Sequence, residues 1–175
     1  MSDVIRMLED GDLRSVGRVP DVLRLVSDQP DLFPEVIQAM THADPGIRMR
    51  AADAVEKITR RKPDYLSPYK TFLLKLVSVS DQQEVRWHLA QIIPRLEMTA
   101  EERSAAADEF FAFLEDPSKI VQANALQALV ELAWEDDDLF SKVRKEVERM
   151  AGEGSPAVSS RAGKLLPQMD DQRDR

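Results

Sequence analysis

The fold of this chain is decided by one stretch, residues 44–58, which reads DPGIRMRAADAVEKI. Asp44 is a residue type that caps the first turn of a helix, and Pro45 fits that turn because its missing amide hydrogen is not needed there. Apolar or small residues then follow at helical spacing on one face: Ile47, Ala51, Ala54, Val55 and Ile58. The stretch therefore predicts an amphipathic helix that begins at Pro45.

The same pattern recurs three times further along the chain. Val85, Val121 and Val158 each open an equivalent apolar face, and the steps from Ile47 onward are 38, 36 and 37 residues. Near-equal steps that carry a five-position pattern indicate an internal repeat. A second set of helices is predicted between these, at residues 32–40, 65–77, 99–114 and 139–150. Each repeat thus consists of two helices.

The repeats predict an all-α chain with a single domain over residues 1–169 and a polar tail at 170–175. The domain divides into about five two-helix units, the first of them divergent, at residues 2–28, 31–61, 64–98, 99–135 and 138–169. Local signals support this division. Thr99 and Glu102 form a capping-box pattern. Pro20, Pro94 and Pro167 lie about two repeats apart and suggest a helix kink that is reused at one register.

Residues 44–55 resemble the second-helix signature of HEAT repeats. Val85-Arg86 repeats the Val-Arg element of that signature, and the segment from Asp116 to Leu132 carries it with Gln122 in place of arginine. The resemblance covers about residues 30–169. The period is closer to that of compact repeats in small bacterial HEAT-like proteins than to the usual range of roughly 40–47 residues.

The resemblance implies a right-handed α-α superhelix, a solenoid in which each repeat completes the core of its neighbours. It also implies that Arg48 and Arg86 hydrogen-bond turn groups of an adjoining repeat. In HEAT-like solenoids the second helix of each repeat lines the concave side, where a partner usually binds. We therefore expect a non-catalytic scaffold or adaptor that binds another protein on this face.

Helical geometry identifies the side chains that would point there. Positions 49, 53, 56 and 60 lie at about 180–240° from Ile47, opposite the core face. With their equivalents in later units they form a strip, which we call the concave strip: Met49, Asp53, Glu56, Arg60, Trp87, Gln91, Met98, Gln127, Val130 and Trp134. Both tryptophans of the chain fall on it. Two interpretations stay open, because these rings either anchor a partner or fill the core between adjacent repeats.

The residues that would carry catalysis are missing from the sequence. There is no cysteine, and there is neither a phosphate-binding glycine loop nor a Gly-x-Ser-x-Gly elbow. Glu84 and His88 are one helical turn apart, but two ligands do not make a metal site. We expect no enzyme activity, no cofactor and no metal.

Two other functions of HEAT-like proteins are weighed against the scaffold. A nucleic-acid-binding or DNA-glycosylase-like protein would use the tryptophans with a basic run, namely Arg48, Arg50, Arg60, Arg61 and Lys62. The net charge of -8 and the acidic residues 135–138 disfavour it. A tetrapyrrole lyase or chaperone would hold its ligand on the concave strip, but no cysteine or specific motif supports it.

The location expected from the sequence is the cytoplasm. Residues 1–6 show neither a basic start nor a long apolar run, and no segment approaches the roughly 18 apolar residues of a membrane span. The sequence leaves the oligomeric state open.

Overall fold

The computed structural model describes residues 2–12 and 15–173. All regular elements in this part of the chain are helical, with no strand, which confirms the predicted all-α class. Its α-helices are α1 (Asp3–Glu9), α2 (Val19–Asp28), α3 (Phe33–Gln38), α4 (Pro45–Thr59), α5 (Lys70–Val79), α6 (Gln83–Ile92), α7 (Ala100–Phe113), α8 (Lys119–Ala133), α9 (Asp137–Glu153) and α10 (Pro156–Arg173). Short 3-10 helices cover Pro30–Leu32, Ala39–Thr41, Pro63–Tyr69 and Ile93–Arg95.

Helix starts follow the predicted capping chemistry. The side chain of Asp44 accepts a hydrogen bond from the backbone N–H of Ile47 at 2.9 Å, and Pro45 occupies the first turn of α4. At α7 the capping box is complete, because Thr99 accepts from the N–H of Glu102 and Glu102 accepts from the N–H of Thr99. These caps satisfy amides that a helix end leaves without an internal partner.

The prediction of a helix kink shared by the three prolines is wrong. Pro20 lies in the first turn of α2, where no amide hydrogen is needed. Pro94 lies in the 3-10 helix that follows α6, and Pro167 alone of the three lies beyond the first turn of an α-helix, in α10. The predicted helix over 65–77 also starts late. A 3-10 helix containing Pro68 precedes α5, because proline cannot donate the hydrogen bond that an α-helix requires.

The ends of the chain differ from the sequence-based boundaries. Val16, Val19, Leu23 and Val26 have the spacing of one helical face in the divergent first unit, but α2 begins at Val19 and Val16 is 50 % exposed. At the other end α10 continues to Arg173, so residues 170–173 of the predicted tail are helical. Residues 13–14 and 174–175 lie outside the described part of the chain.

The repeat is visible as a recurring hydrogen bond. Arg48, Arg86 and Gln122 each donate from the side chain to the backbone carbonyl six residues earlier, at 2.9, 2.7 and 2.7 Å. Arg48 also donates to the side chain of Gln82, just before α6, at 2.8 Å. Each bond joins the first turn of a second helix to the turn before it. The expected structural role of Arg48 is therefore present, and the solenoid superhelix stays a prediction.

The helices pack into two compact units, which we call unit 1 and unit 2 and which are distinct from the two-helix units predicted above. Unit 1 contains the described part of Met1–Lys70 together with Ser80–Leu96. Its central helix is α4, against which α1, α2, α3 and α6 all pack. Ala51, Ala52 and Ala54 of α4 are fully buried, and such small side chains let neighbouring helices approach closely. The polar residues Asp53 and Glu56 of α4 consequently lie within reach of α6 and the 3-10 helix after it.

Unit 2 contains Thr71–Val79 and the described part of Glu97–Arg175. Its central helix is α8, which packs against α7, α9 and α10. Eleven of the fifteen residues of α8 are buried. A helix with apolar residues on all sides is typically buried on all sides. None of the helices in the described residues combines the length and apolar character that a bilayer crossing requires.

Candidate functional site

The concave strip is divided between the two units. Unit 1 holds Met49, Asp53, Glu56, Arg60, Trp87 and Gln91, and unit 2 holds Met98, Gln127, Val130 and Trp134. Three residues of unit 1 come together, because Met49, Asp53 and Trp87 line one surface cavity of about 290 Å³. We call it the Trp87 cavity. Its remaining lining residues are Ser15, Val16, Arg50, Glu84 and His88.

Trp87 is half-buried and held in one orientation. Its indole Nε1 donates to Nε2 of His88 at 3.4 Å, and the two ring centroids are 5.6 Å apart. His88 is 8 % exposed, and its Nδ1 donates to the backbone carbonyl of Glu84, one turn earlier in α6, at 2.7 Å. The carbonyl of Glu84 therefore holds Nδ1 of His88, and Nε2 faces both the indole of Trp87 and the carboxylate of Asp53. Trp87 thus presents a fixed aromatic surface to the cavity.

Asp53 supplies a negative charge at the wall of the cavity. Its Oδ1 lies 3.4 Å from Nε2 of His88, and its Oδ2 accepts from Nζ of Lys57, one turn later in α4, at 2.7 Å. Burial opposes ionisation of this carboxyl, but its contacts with His88 and Lys57 outweigh burial and hold the pKa of Asp53 below its ordinary value. The carboxylate is therefore the stable form beside Trp87.

Glu56 was expected on the open strip and is instead 3 % exposed. Arg95 reaches it from the 3-10 helix after α6, with the guanidinium 2.5 Å from Oε1, and also donates to the hydroxyl of Thr59 at 2.9 Å. Arg60, which is exposed, approaches Oε2 from the other side at 2.7 Å. The carboxylate of Glu56 joins two helices of unit 1 and offers no surface to a partner.

Val130 is a second correction, since it is fully buried. The helical wheel places it opposite the core face, but α8 is enclosed by three helices of unit 2 and has no free apolar face. Gln127 of the same helix is half-buried, where it donates to Glu131 at 2.8 Å and accepts from Arg161 at 3.2 Å. The wheel correctly predicts directions around the axis, but it does not predict how many neighbours a helix has.

The other strip residues of the two units are partly accessible. Gln91 and Met98 are half-buried. Trp134 is also half-buried and lines a separate cavity of unit 2, of about 410 Å³, together with Phe140. The ring centroids of Trp134 and Phe140 are 5.9 Å apart. The open question about the tryptophans therefore has the same answer in both units: each ring is packed on one side and borders a surface cavity on the other.

Sequence reasoning missed the role of Arg50. Arg50 was assigned to a basic run, but it is 2 % exposed and donates to the backbone carbonyls of Leu8 at 2.5 Å and Asp12 at 2.8 Å. Its guanidinium also reaches the carbonyls of Glu9 and Ser15. These groups belong to the end of α1 and the segment that follows it. A charged residue on the apolar side of α4 was the only sequence signal for such a contact.

Glu84 and His88 lie one helical turn apart on α6. His88 uses Nδ1 to bind the backbone carbonyl of Glu84 and not its carboxylate. The described residues contain no group of three or more potential metal ligands among histidine, aspartate and glutamate. The cavity instead combines an aromatic ring, a methionine and carboxylates.

The chain matches no protein-family model, no curated protein and no solved structure. The resemblance to HEAT repeats therefore stays a prediction.

Proposed function

We propose that this chain is a non-catalytic protein-interaction module of HEAT-like helix pairs, and that the Trp87 cavity anchors its partner. The observation that carries the proposal is the fixed, half-buried indole of Trp87 beside the exposed Val16 and the half-buried Met49. Tryptophan is enriched among the residues that dominate binding energy, and methionine adapts its shape to different partners.

Preorganisation supports this role. The hydrogen bond to the buried His88 orients the indole before any partner arrives. Binding therefore costs little side-chain entropy at Trp87. A smaller entropy cost leaves a more favourable free energy of binding. An oriented aromatic ring at the edge of a cavity favours the interpretation of Trp87 as a partner anchor over its interpretation as a residue that fills the core.

Charge indicates the kind of partner. Asp53 is stabilised as a carboxylate at the cavity wall, and Glu84 lies at the same cavity. The chain carries a net charge of -8. A partner segment that places an apolar side chain over Trp87 and a basic side chain next to it would complement both features.

The nucleic-acid alternative is disfavoured by how the basic run is used. Arg50 is buried against backbone carbonyls, and Arg48 binds turn groups and Gln82. Arg60 pairs with Glu56. Only Arg61 and Lys62 of that run are left at the surface of the described chain without an ion pair, fewer than phosphate-driven binding usually uses. No observation favours a tetrapyrrole ligand.

The test is quantitative capture of partners from the native cell on immobilised wild-type, Trp87→Ala and Ile120→Ala proteins. Ile120 is a matched control because it is 54 % exposed and belongs to unit 2. We expect one protein to be retained by wild type and Ile120→Ala, and about ten-fold less of it by Trp87→Ala, as for a central interface residue. Equal retention by all three, with circular dichroism showing the same fold, would contradict the proposal. Salt-sensitive retention of nucleic acid instead would support the alternative.

A further inference from the structure

A second cavity of unit 1, of about 470 Å³, is separate from the one described above. It lies between α2 and the carboxyl end of α4. Tyr65, in the 3-10 helix that follows α4, closes it. Its lining residues are Leu23, Val26, Ser27, Lys57, Ile58, Arg60, Arg61, Lys62 and Tyr65. Its volume falls within the roughly 300–1,000 Å³ that is usual for small-molecule sites.

The inner wall of this cavity is apolar. Leu23 and Val26 come from α2, and Ile58 comes from α4. Tyr65 forms an aromatic side, and its ring packs against the buried ring of Phe33 with centroids 5.3 Å apart. An apolar group of a ligand would therefore find a wall that is already in place.

The rim carries only positive charge. Four of the lining residues are lysine or arginine, and no lining residue in the described chain is a carboxylate, although acidic residues outnumber basic ones by 32 to 24. Lys57 and Arg60 are each paired with a carboxylate of α4 that does not line the cavity, both at 2.7 Å. Arg61 and Lys62 are exposed and make no ion pair with any described residue.

The dipole of α4 explains the position of these cations but not the apolar cavity beneath them. Basic residues at the carboxyl end of a helix interact favourably with the helix dipole, and this accounts for lysine and arginine near the end of α4. It does not account for an apolar cavity directly beneath them. An apolar wall beneath two unpaired cations is complementary to a molecule with an apolar body and one anionic end.

We propose that this cavity binds a small amphiphilic carboxylate. The apolar chain of the ligand lies against Leu23, Ile58 and Tyr65, and its carboxylate lies between Arg61 and Lys62. Arginine can bind a carboxylate through two parallel hydrogen bonds, and lysine adds a point charge. No residue that lines this cavity in the described chain also lines the Trp87 cavity.

The test compares octanoate with 1-octanol by isothermal titration calorimetry. The two probes share an apolar chain and differ in the charged end. The charge variant is Arg61→Gln/Lys62→Gln, and the matched control is Lys142→Gln/Lys145→Gln, which removes two exposed lysines of α9 in unit 2 and gives the same net charge. We expect octanoate to bind wild type and the control alike, and the charge variant at least about ten-fold more weakly. Octanol binds weakly to all three proteins.

Three results would overturn the proposal. Octanoate could fail to bind wild type saturably, or bind the charge variant as tightly as wild type. Octanol could bind wild type as tightly as octanoate, in which case the cations have no role. A glutamate-rich peptide could bind where octanoate does not, and the cavity would then be a peptide groove. Thermal unfolding of each variant shows whether a loss of binding reflects a loss of fold.

Discussion

Arg50 carries its positive charge at a position that is 2 % exposed, where four backbone carbonyls take the place of water. Two of them, at Leu8 and Glu9, are in the last turn of α1, where a helix leaves its carbonyls without internal partners. A cation at this end also interacts favourably with the helix dipole. The sequence could not reveal this, because Arg50 and its acceptors are about 40 residues apart and no local pattern links them.

The contribution of Arg50 is testable by Arg50→Met, which keeps most of the side-chain volume and removes all donors. We expect the free energy of unfolding to fall by about 3 kcal/mol or more, since the buried carbonyl of Leu8 and three half-buried ones lose a charged partner together. Arg61→Met is the control with the same change of charge at an exposed position, and it should change stability by no more than about 0.5 kcal/mol. Urea unfolding followed by circular dichroism measures both, and equal effects would contradict the assigned role.

Glu56 predicts a specific pH dependence. Burial opposes its ionisation, but hydrogen bonds and charges from Arg60 and Arg95 outweigh burial and hold its pKa below the ordinary value of 4.5. As the pH falls, Glu56 therefore becomes protonated at a higher pH in the unfolded chain than in the folded protein. The stability that ionised Glu56 contributes is complete above about pH 4.5 and is lost as the pH falls through the lower folded value.

The corresponding variant is Glu56→Gln, with the exposed Glu97→Gln as control. We expect Glu56→Gln to reduce the fall in the free energy of unfolding between about pH 5 and pH 3, whatever its effect at neutral pH, because the titrating group is gone. Glu97→Gln should keep the wild-type slope. Parallel curves for wild type and Glu56→Gln would show that Glu56 is not stabilised as a carboxylate by folding.

At the scale of the helix, the sequence predicts starts better than ends. Asp44 and Thr99 are local signals that act within one turn, and both cap the predicted helix. Pro94 and Pro167 are also local signals, yet one follows an α-helix and the other lies inside one. Neighbouring helices decide whether a helix continues past a proline, and that information is spread over the fold.

Ser155 shows the limit of capping by pattern. It precedes Pro156 at the start of α10, a pattern that predicts a helix cap, but its hydroxyl is buried and makes no hydrogen bond with the described chain. We expect Ser155→Ala to leave stability unchanged or raise it slightly, because a buried unpaired hydroxyl is costly. Thr99→Ala in the same unit should lower stability by about 1 kcal/mol through loss of the capping box. Thermal unfolding of the pair checks this, and a larger loss for Ser155→Ala would contradict it.

At the scale of the whole molecule, the all-α class was predictable because it rests on apolar spacing, and spacing is written in the sequence. Arg48, Arg86 and Gln122, which are equivalent in the predicted register, each bond the backbone carbonyl six residues earlier. The concave strip was only partly predictable. Val130 and Glu56 share its helical angle with Trp87, but enclosure by neighbouring helices and a contact from Arg95 bury them. Such contacts depend on residues far apart in sequence.

The most direct test of the proposed function uses the two tryptophans of the chain as separate probes. Labelling with 5-fluorotryptophan gives one fluorine NMR signal for Trp87 and one for Trp134, which Trp87→Phe assigns. When the captured partner is added, the account predicts that the Trp87 signal shifts or broadens until binding is saturated. A partner that binds while the Trp87 signal stays unchanged would contradict the claim that this cavity is the anchor.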